Sequence, residues 1–593
     1  MRLGIDFGTT NSAAAVYDGV TLHPVHINQA AILPSLLYID RQHQATLGSA
    51  AAQLYLQRET GRAVQWRSRE IGVIEVVVSG KDAPIIYNVP VVVTFDDAAS
   101  GRLLQSVKTA LRLEHYEGTQ IFDRFYTVDE LITPLLRELK ARAEAQFEQS
   151  CDEVVIGRPV KFSDDPRISL RAEEIIYKAG RAAGFRDIRF AMEPIGALYL
   201  YHISTLKRIT VLVFDFGGGT LDLTVAEVGA GRPPHVLATR GVLVGGDDLD
   251  RRIFFALLKY FGENPDLGEH LPHDVLEALA SWQTMNELSR SNYVETFNRL
   301  RRASRHPKSI DALKTLVSKN VGFSLFSRCE QAKRDLSDHL HTTLQFNFEN
   351  IHLRELISRP RFEMLIRQEL KAVEQGLHDV LAEAGLRAAQ IEAVVRTGGS
   401  SLVPAFVQML TRLFGADKLR EIDPLTSVVG GLSIVAHESG GTVGAYQSKY
   451  PADPCAVTAP YDGYIMRVGA QPYSDRETTV RKIPVALSGL PAIRLPWLER
   501  ERREAEYLRL PLAGRAKVYI AYPGAALQPP DWMRAWERED MSIEVEDEWW
   551  GIKELYVYSQ LFEGGEVVLG GCMAPGARGR VDVNYIMLLE RYN

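Results

Sequence analysis

Residues 3–12 read LGIDFGTTNS, and residues 211–225 read VLVFDFGGGTLDLTV. In each stretch an apolar run ends in Asp-Phe-Gly and passes into small residues. An apolar run of this length, bounded by turn residues, predicts a buried strand. The Gly and Thr residues that follow can turn tightly and present backbone N–H groups and hydroxyls to an anion. Asp6 and Asp215, one at each strand end, are placed to meet a hydrated divalent cation. Two such units about 200 residues apart point to a duplicated fold with a nucleotide held between two lobes. One Asp-Phe-Gly triplet occurs by chance; the pair, in this order, is far more specific than two ordinary strand turns.

MRLGIDFGTTNSAAAV and VFDFGGGTLDLTV resemble the phosphate 1 and phosphate 2 motifs of the actin, hexokinase and heat-shock-chaperone superfamily. MEPIGALYLY (192–201), VGGDDLDRRI (244–253), CEQAKRDLS (329–337) and RTGGSSLVP (396–404) narrow the branch. Together they resemble the nucleotide-binding domain of the seventy-kilodalton heat-shock (DnaK-type) chaperones, especially divergent bacterial members. CEQAKRDLS discriminates most, because actins and sugar kinases lack it. The resemblance spans residues 1 to about 440, close to three-quarters of the chain, and fades beyond. It implies an α/β fold: a two-lobed, actin-like ATPase domain of the duplicated ribonuclease-H type over 1–440. Lobe I is expected at about 1–205 plus 423–440 and lobe II at about 206–422. A β-rich C-terminal domain over 441–593, readable as a diverged, lidless substrate-binding domain, completes the expected organisation.

The composition agrees with a multidomain globular chain. At 593 residues it is too long for one core. Its 46% hydrophobic and 24% charged content is ordinary. A net charge of −7 argues against a nucleic-acid binder, which normally carries a basic face. Cys151, Cys329, Cys455 and Cys572 are scattered, without CxxC spacing, as expected for a reducing cytoplasm. No HExxH or Cys/His cluster suggests zinc. No basic-plus-apolar leader predicts a signal peptide, and no apolar stretch reaches 18 residues, so no membrane span is expected.

Strands are predicted at LGIDF, AAAVY, PSLLYI and DEVVIGRPV (152–160), and helices at 127–148 and 167–184, the latter stopped by Gly184. Residues 71–95 (IGVIEVVVSGKDAPIIYNVPVVVTF) read as strands that enlarge lobe I. Residues from about 250 to 345 read as a helical, polar stretch, in which the basic run RRASRHPK (301–308) reads as a solvated loop between helices in preference to a partner-binding patch. A helix over 404–414 starts at Pro404, and 424–437 closes back on lobe I. Residues 438–447 read as a linker. Beyond them AKVYIAY, ELYVYSQLF and VDVNYIMLL alternate as half-buried antiparallel strands do.

Phosphoryl transfer to water needs positioning and charge neutralisation more than covalent chemistry. Gly8, Thr9 and Thr10, with Gly217, Gly218 and Gly219, can hold phosphate oxygens; Gly245 and Gly246 lie in a further matched glycine motif. The resemblance implies that Asp6 and Asp215 hold Mg²⁺ through its waters, that Thr220 and Asp222 stand near the attacking water, and that Glu193 joins the metal-water network. It also implies a lobe I lysine at the γ-phosphate, best matched by Lys108. Glu330 and Lys333 match the ribose pair, Arg334 and Ser337 the adenine contacts, and Gly398, Gly399 and Ser400 the second nucleoside loop. Pro159 matches a proline proposed to relay nucleotide state. One departure stands out: Leu402 occupies the place of the family's second adenine-stacking arginine, which predicts weaker nucleotide binding.

The family's Leu- and Asp-rich interdomain linker and helical lid are not plainly present. Five of the seven tryptophans (Trp497, Trp532, Trp536, Trp549 and Trp550) fall in the C-terminal third, as core residues or as interface anchors. The expected function is an ATP-dependent chaperone-like ATPase, with ATP/ADP and Mg²⁺ as cofactors. Its expected partners are unfolded polypeptide or a dedicated client and an exchange factor, with no nucleic acid or membrane. The alternative is a nucleotide-sensing scaffold with one partner and little hydrolysis. A small-molecule kinase and an actin-like filament are disfavoured by CEQAKRDLS.

Overall fold

The computed structural model describes residues 1–27, 30–78, 85–114, 116–203, 205–231, 234–421, 427–438, 462–512, 514–547 and 549–591. The expected linker at 438–447 lies, apart from Glu438, outside the described residues. The chain forms two compact units. The first holds residues 1–66, 96–117 and 128–446; the second holds 67–95, 118–127 and 447–593.

The first unit contains one strand arrangement twice. In lobe I, Arg2–Phe7 pairs antiparallel with Asn11–Tyr17, which pairs antiparallel with Leu22–Pro24. On its other side Arg2–Phe7 runs parallel to Glu153–Arg158, and that strand parallel to Asp187–Met192. Lobe II repeats the order. Ile209–Phe216 is central, with Leu221–Val228 and His235–Val242 antiparallel on one side and Ala393–Thr397 and Leu419–Glu421 parallel on the other. Both central strands are buried apolar runs, as a parallel neighbour and covering helices require. Each ends at its Asp-Phe-Gly, so the duplication brings two glycine turns to matching sheet positions.

Helices at Val128–Phe147, Pro166–Ala182 and Pro404–Phe414 follow the predicted periodicities; Asp165 caps the second by accepting from the Arg167 N–H. Helix Ser427–Glu438 is buried along most of its length. Its glycines permit contacts that no side chain allows: a Cβ on Gly431 would lie 1.6 Å from the Gly196 carbonyl oxygen. This contact anchors helix Glu193–Ile203, whose first residue is Glu193. The basic run at 301–308 divides between helix Ser291–Ala303 and helix Pro307–Ser318, with Arg301 paired to Asp311.

The second unit is built on a nine-stranded sheet. Its order is Asp462–Ile465, Pro491–Arg494, Ile586–Arg591, Ala516–Pro523, Gly551–Phe562, Glu537–Asp547, Thr478–Pro484, Trp66–Val78 and Ile85–Asp96. The last two strands correct the sequence reading: residues 71–95 do not extend a lobe I sheet but complete this one. Thr478–Pro484 runs parallel to Trp66–Val78, with Lys482 opposite Val73 and Ile483 opposite Ile74. Glu75 and Lys482 close a 2.8 Å ion pair, and Ile71, Ile74 and Val91 pack on the core containing Val480, Ile483, Val545 and Val557. The expectation of half-buried strands holds only in part. Ala516–Pro523 is buried on both faces: Tyr519 and Ala521 point into that core, while Val518, Ile520 and Tyr522 join a second one with Leu510, Val567 and Leu569.

Within the first unit, the chain ends that flank segment 67–95 are tied together. The Gln65 N–H donates to Asp96 at 2.8 Å, and the Asp97 N–H donates to the Gln65 carbonyl at 2.7 Å. Replacing residues 67–95 with a short Gly-Ser turn is therefore expected to leave the first unit folded and to weaken the second. By hydrogen exchange, Thr478–Pro484 should lose protection while Ile209–Phe216 keeps it. Ile483→Ala alone, at a fully buried position, should cost about 2–5 kcal/mol in unfolding experiments.

Candidate nucleotide site

The site is assembled from turns that only glycine closes. A Cβ on Gly8 would lie 2.1 Å from the Asn11 carbonyl oxygen. Ser35 braces the same turn: its N–H donates to the Thr10 carbonyl, and its hydroxyl to the Gly8 carbonyl, both at 2.8 Å. In lobe II the Gly217 N–H donates to the Thr220 carbonyl at 3.0 Å. The two turns meet, since a Cβ on Gly218 would stand 2.2 Å from Thr10 Oγ1. Gly245 packs on the lobe II turn with no room for a side chain, and the Gly246 and Asp247 N–H groups donate to the carbonyls of Gly217 and Gly218. Helix Gly246–Ala256 thus begins against the lobe II glycine turn, with its positive dipole end toward that turn. Beside Gly217 and Gly399 there is open space: a Cβ on the first meets nothing nearer than 3.7 Å, and on the second nothing within 4 Å.

Acidic side chains crowd this centre. Asp215 and Asp222 sit directly opposite each other on the antiparallel ladder, where like charges repel. Burial raises the Asp215 carboxyl well above its usual range, and Glu193, Asp222 and Asp6 add to the shift. Burial, then Glu193, raises Asp6 as well, against the pull of Lys108. Burial pushes Asp222 up to about 7, opposed by the Val160 N–H, which donates to its Oδ1 at 2.9 Å. Lys108 is buried and binds Glu193 at 2.6 Å. The 3₁₀ turn Val107–Arg112, entered through Ser106 at φ 55°, carries it there. Asp6, Lys108, Glu193, Asp215, Thr220 and Asp222 are therefore brought together. Pro159 immediately precedes the residue that binds Asp222.

The nucleoside residues are placed unevenly. Glu330, Lys333, Arg334 and Ser337 lie on helix Gly322–Asp338. Lys333 reaches the start of helix Gly246–Ala256, binding Asp250 at 2.8 Å and the Gly246 carbonyl at 3.1 Å. Glu330 pairs instead with the more exposed Arg334, so the expected ribose pair points to different partners. Ser337 turns back to the Lys333 carbonyl. Gly398 takes φ 77°, a conformation that favours glycine, and the Ser400 hydroxyl donates to the Gly217 carbonyl at 3.2 Å. Leu402 follows them and is 36% exposed.

Several groups at the site escaped the sequence reading. Asp247 accepts from the Ser106 hydroxyl across the lobes at 3.2 Å, and burial pushes its carboxyl up to about 7. Asp250 is the partner of Lys333. Arg112 stands beside Gly219, its Nη2 2.9 Å from where a Cβ would be. Its spacing of four from Lys108 was the available signal.

The carboxylates suit a hydrated cation better than a bare one. Among the described residues no three His, Cys, Asp or Glu side chains converge closely enough to hold a metal directly. Mg²⁺ retains several waters and takes few protein carboxylates.

The charge crowding predicts a pH-dependent instability without ligand. An unfolded Asp222 ionises near pH 3.9, while the folded one resists until about 7. Below about pH 4 both states are protonated, and the group costs nothing. As pH rises toward 7 the unfolded state loses its proton first, and stability falls by up to about 4 kcal/mol. Asp222→Asn should therefore melt higher than the native chain at pH 8, with the gap closing toward pH 4 in calorimetry.

Comparison with known proteins bears on these motifs. The family model described as Hsp70 protein matches residues 2–280 and 298–445. Two relatives, each named chaperone protein DnaK and from different strains of Thermus thermophilus, are 28% identical over 448 residues. The alignments cover 73% of this chain but only 60% of each relative's length. The family match takes in both glycine turns, the helix of Lys333 and the Gly398 turn, on a fold with two sheets of one topology. The chain belongs to the Hsp70 family, and its first unit has that family's actin-like ATPase fold.

Proposed function

We propose that this chain binds and hydrolyses ATP with Mg²⁺ and couples nucleotide state to the binding of polypeptide by its second unit. The observation that carries this reading is the surplus of buried carboxylate facing two glycine-threonine turns. Asp6, Asp215, Asp222 and Glu193 share Lys108 as a close cation, so the site is electrostatically incomplete by itself. A hydrated Mg²⁺ beside Asp6 and Asp215 would neutralise that charge and the phosphate oxygens. Thr9 and Thr10, with the backbone of Gly8 and Gly217–Gly219, hold the phosphates. Asp222 and Thr220 orient the attacking water, and the high proton affinity of Asp222 suits it to take the proton. Lys108, fixed by Glu193, stabilises the charge that develops on the phosphoryl group. Gly398, Gly399 and Ser400 on one side and Arg334 on the other would enclose the nucleoside, with Leu402 packing on the base.

Coupling is supported by the path of the chain. The first and second units exchange the backbone at 66/67, 95/96, 117/118, 127/128 and 446/447. Segments 67–95 and 118–127 both leave from and return to lobe I, so a lobe I movement is carried covalently into the second unit. That unit exposes Trp549 (85%) and Trp550 (52%) at a groove of about 690 Å³ also lined by Tyr473, Arg476 and Asp547. Exposed tryptophans beside charged groups are common anchors for protein partners. The free cysteines Cys151, Cys329 and Cys572 support a reducing, cytoplasmic setting. No described helix is long and apolar enough to cross a membrane.

Steady-state ATP turnover, with and without excess unfolded polypeptide, tests the reading. The native chain should turn over faster with polypeptide, and Asp222→Asn should lower the rate about 10²–10⁴-fold. Slow turnover indifferent to polypeptide would replace the chaperone reading with a nucleotide-gated scaffold. Leu402→Arg should tighten ADP about two- to five-fold by calorimetry, the worth of an exposed cation–π contact.

A further inference from the structure

The cations around the phosphate turns are nearly all committed to an acid. Lys108 binds Glu193, Lys333 binds Asp250, Lys161 binds Asp164, Arg158 binds Glu173 and Arg251 binds Asp248. Arg112 differs. Among the described residues it makes no hydrogen bond or ion pair, although its head group lies inside the site. Its Nη2 and Thr9 Oγ1 each lie 2.9 Å from the point where a Cβ on Gly219 would stand, so the guanidinium occupies the seam between the two glycine turns.

The acids that attract Arg112 from a distance already have nearer partners. Asp248 accepts from the Gly245 N–H and pairs with Arg251; Asp222 accepts from the Val160 N–H; Asp247 accepts from Ser106; Glu193 holds Lys108. Burial works against the charge of Arg112, and these acids offset it only in part. A largely buried guanidinium with unused donors is costly unless an anion meets it. The anion that fits has several oxygens and lies against Thr9 and Gly219, which is the description of a phosphate in the cradle formed by the two turns. A planar fork suits phosphate bidentately, which a lysine cannot match.

We infer that Arg112 is a phosphate-binding residue that grips the polyphosphate chain of the nucleotide at the seam between Thr9 and Gly219. The inference rests on the nucleotide reading of this site and extends it to a residue outside the matched motifs. Arg112 also stands six residues before Gly118, where the chain enters the second unit. A hold on phosphate at Arg112 is thus close in sequence to segment 118–127 of the second unit.

The test is calorimetric binding of MgATP, adenosine and inorganic tripolyphosphate to the full-length native chain, Arg112→Ala and Arg112→Lys. Arg112→Ala should weaken ATP and tripolyphosphate about tenfold or more and leave adenosine unchanged. Arg112→Lys should recover only part of the loss. The melting temperature of ligand-free Arg112→Ala should fall little, because among the described residues the arginine has no hydrogen bond or ion pair to lose, only the longer-range attraction of the acids. Adenosine and ATP affinities that fall together with the melting temperature would mark a structural residue and overturn the inference. Unchanged ATP and tripolyphosphate binding in both variants would overturn it while leaving the nucleotide reading intact. Tripolyphosphate bound through Arg112 without any ATP binding would instead sink the nucleotide reading and keep the phosphate role.

Discussion

Negative charge buried at the ends of two equivalent strands is the constraint around which the first unit is organised. Asp6 stands at the end of one central strand and Asp215 at the end of the other; Asp222 faces Asp215 across the ladder, and Glu193, the first residue of its helix, adds its charge to all three. Such a cluster persists only where surrounding structure over-determines it. The glycines do that work. Gly196 against Gly431 fixes the helix that carries Glu193, and Gly245 against Gly218 fixes the helix start facing the turn. A methyl group at either contact would separate elements that hold the acids in place. Stability is given up at this centre, where buried carboxylates outnumber the cations that pair with them.

Much of this was legible because it is local. The two glycine turns, their aspartates and the capping and periodicity of the flanking helices are written in short windows, and the structure places them as those windows imply. Lys108 was legible too, although it needed the Ser106 kink at φ 55° to enter the centre. Arg112 was not, because it reaches the site as the last residue of a 3₁₀ turn and no motif marks it. The partner of Lys333 was hidden for another reason. Asp250 lies 83 residues upstream, and nothing in either helix names the other.

The second unit shows where periodicity loses its force. Residues 71–95 carry a clear strand signal, but a strand signal does not say which sheet it joins. Register across hundreds of residues is decided by which apolar face finds a partner, here Ile71, Ile74 and Val91 on the core of Val480 and Ile483. Alternation misled for a related reason. Ala516–Pro523 is central in a sheet with cores on both faces, so its nominally outward residues are buried as well.

The parallel pairing of Val73 with Lys482 spans 409 positions of the chain. At a synthesis rate of about 5–20 residues per second, the early strand waits roughly 20–80 s for the late one. During that interval Trp66–Val78 has no neighbour on the side where Thr478–Pro484 will add. Pairings of such long separation form slowly and leave apolar edges open to wrong partners. A protein of a chaperone family is thereby built so that its own assembly, from the first seventh of the chain to the last fifth, presents the kind of unpaired strand that chaperones exist to shield.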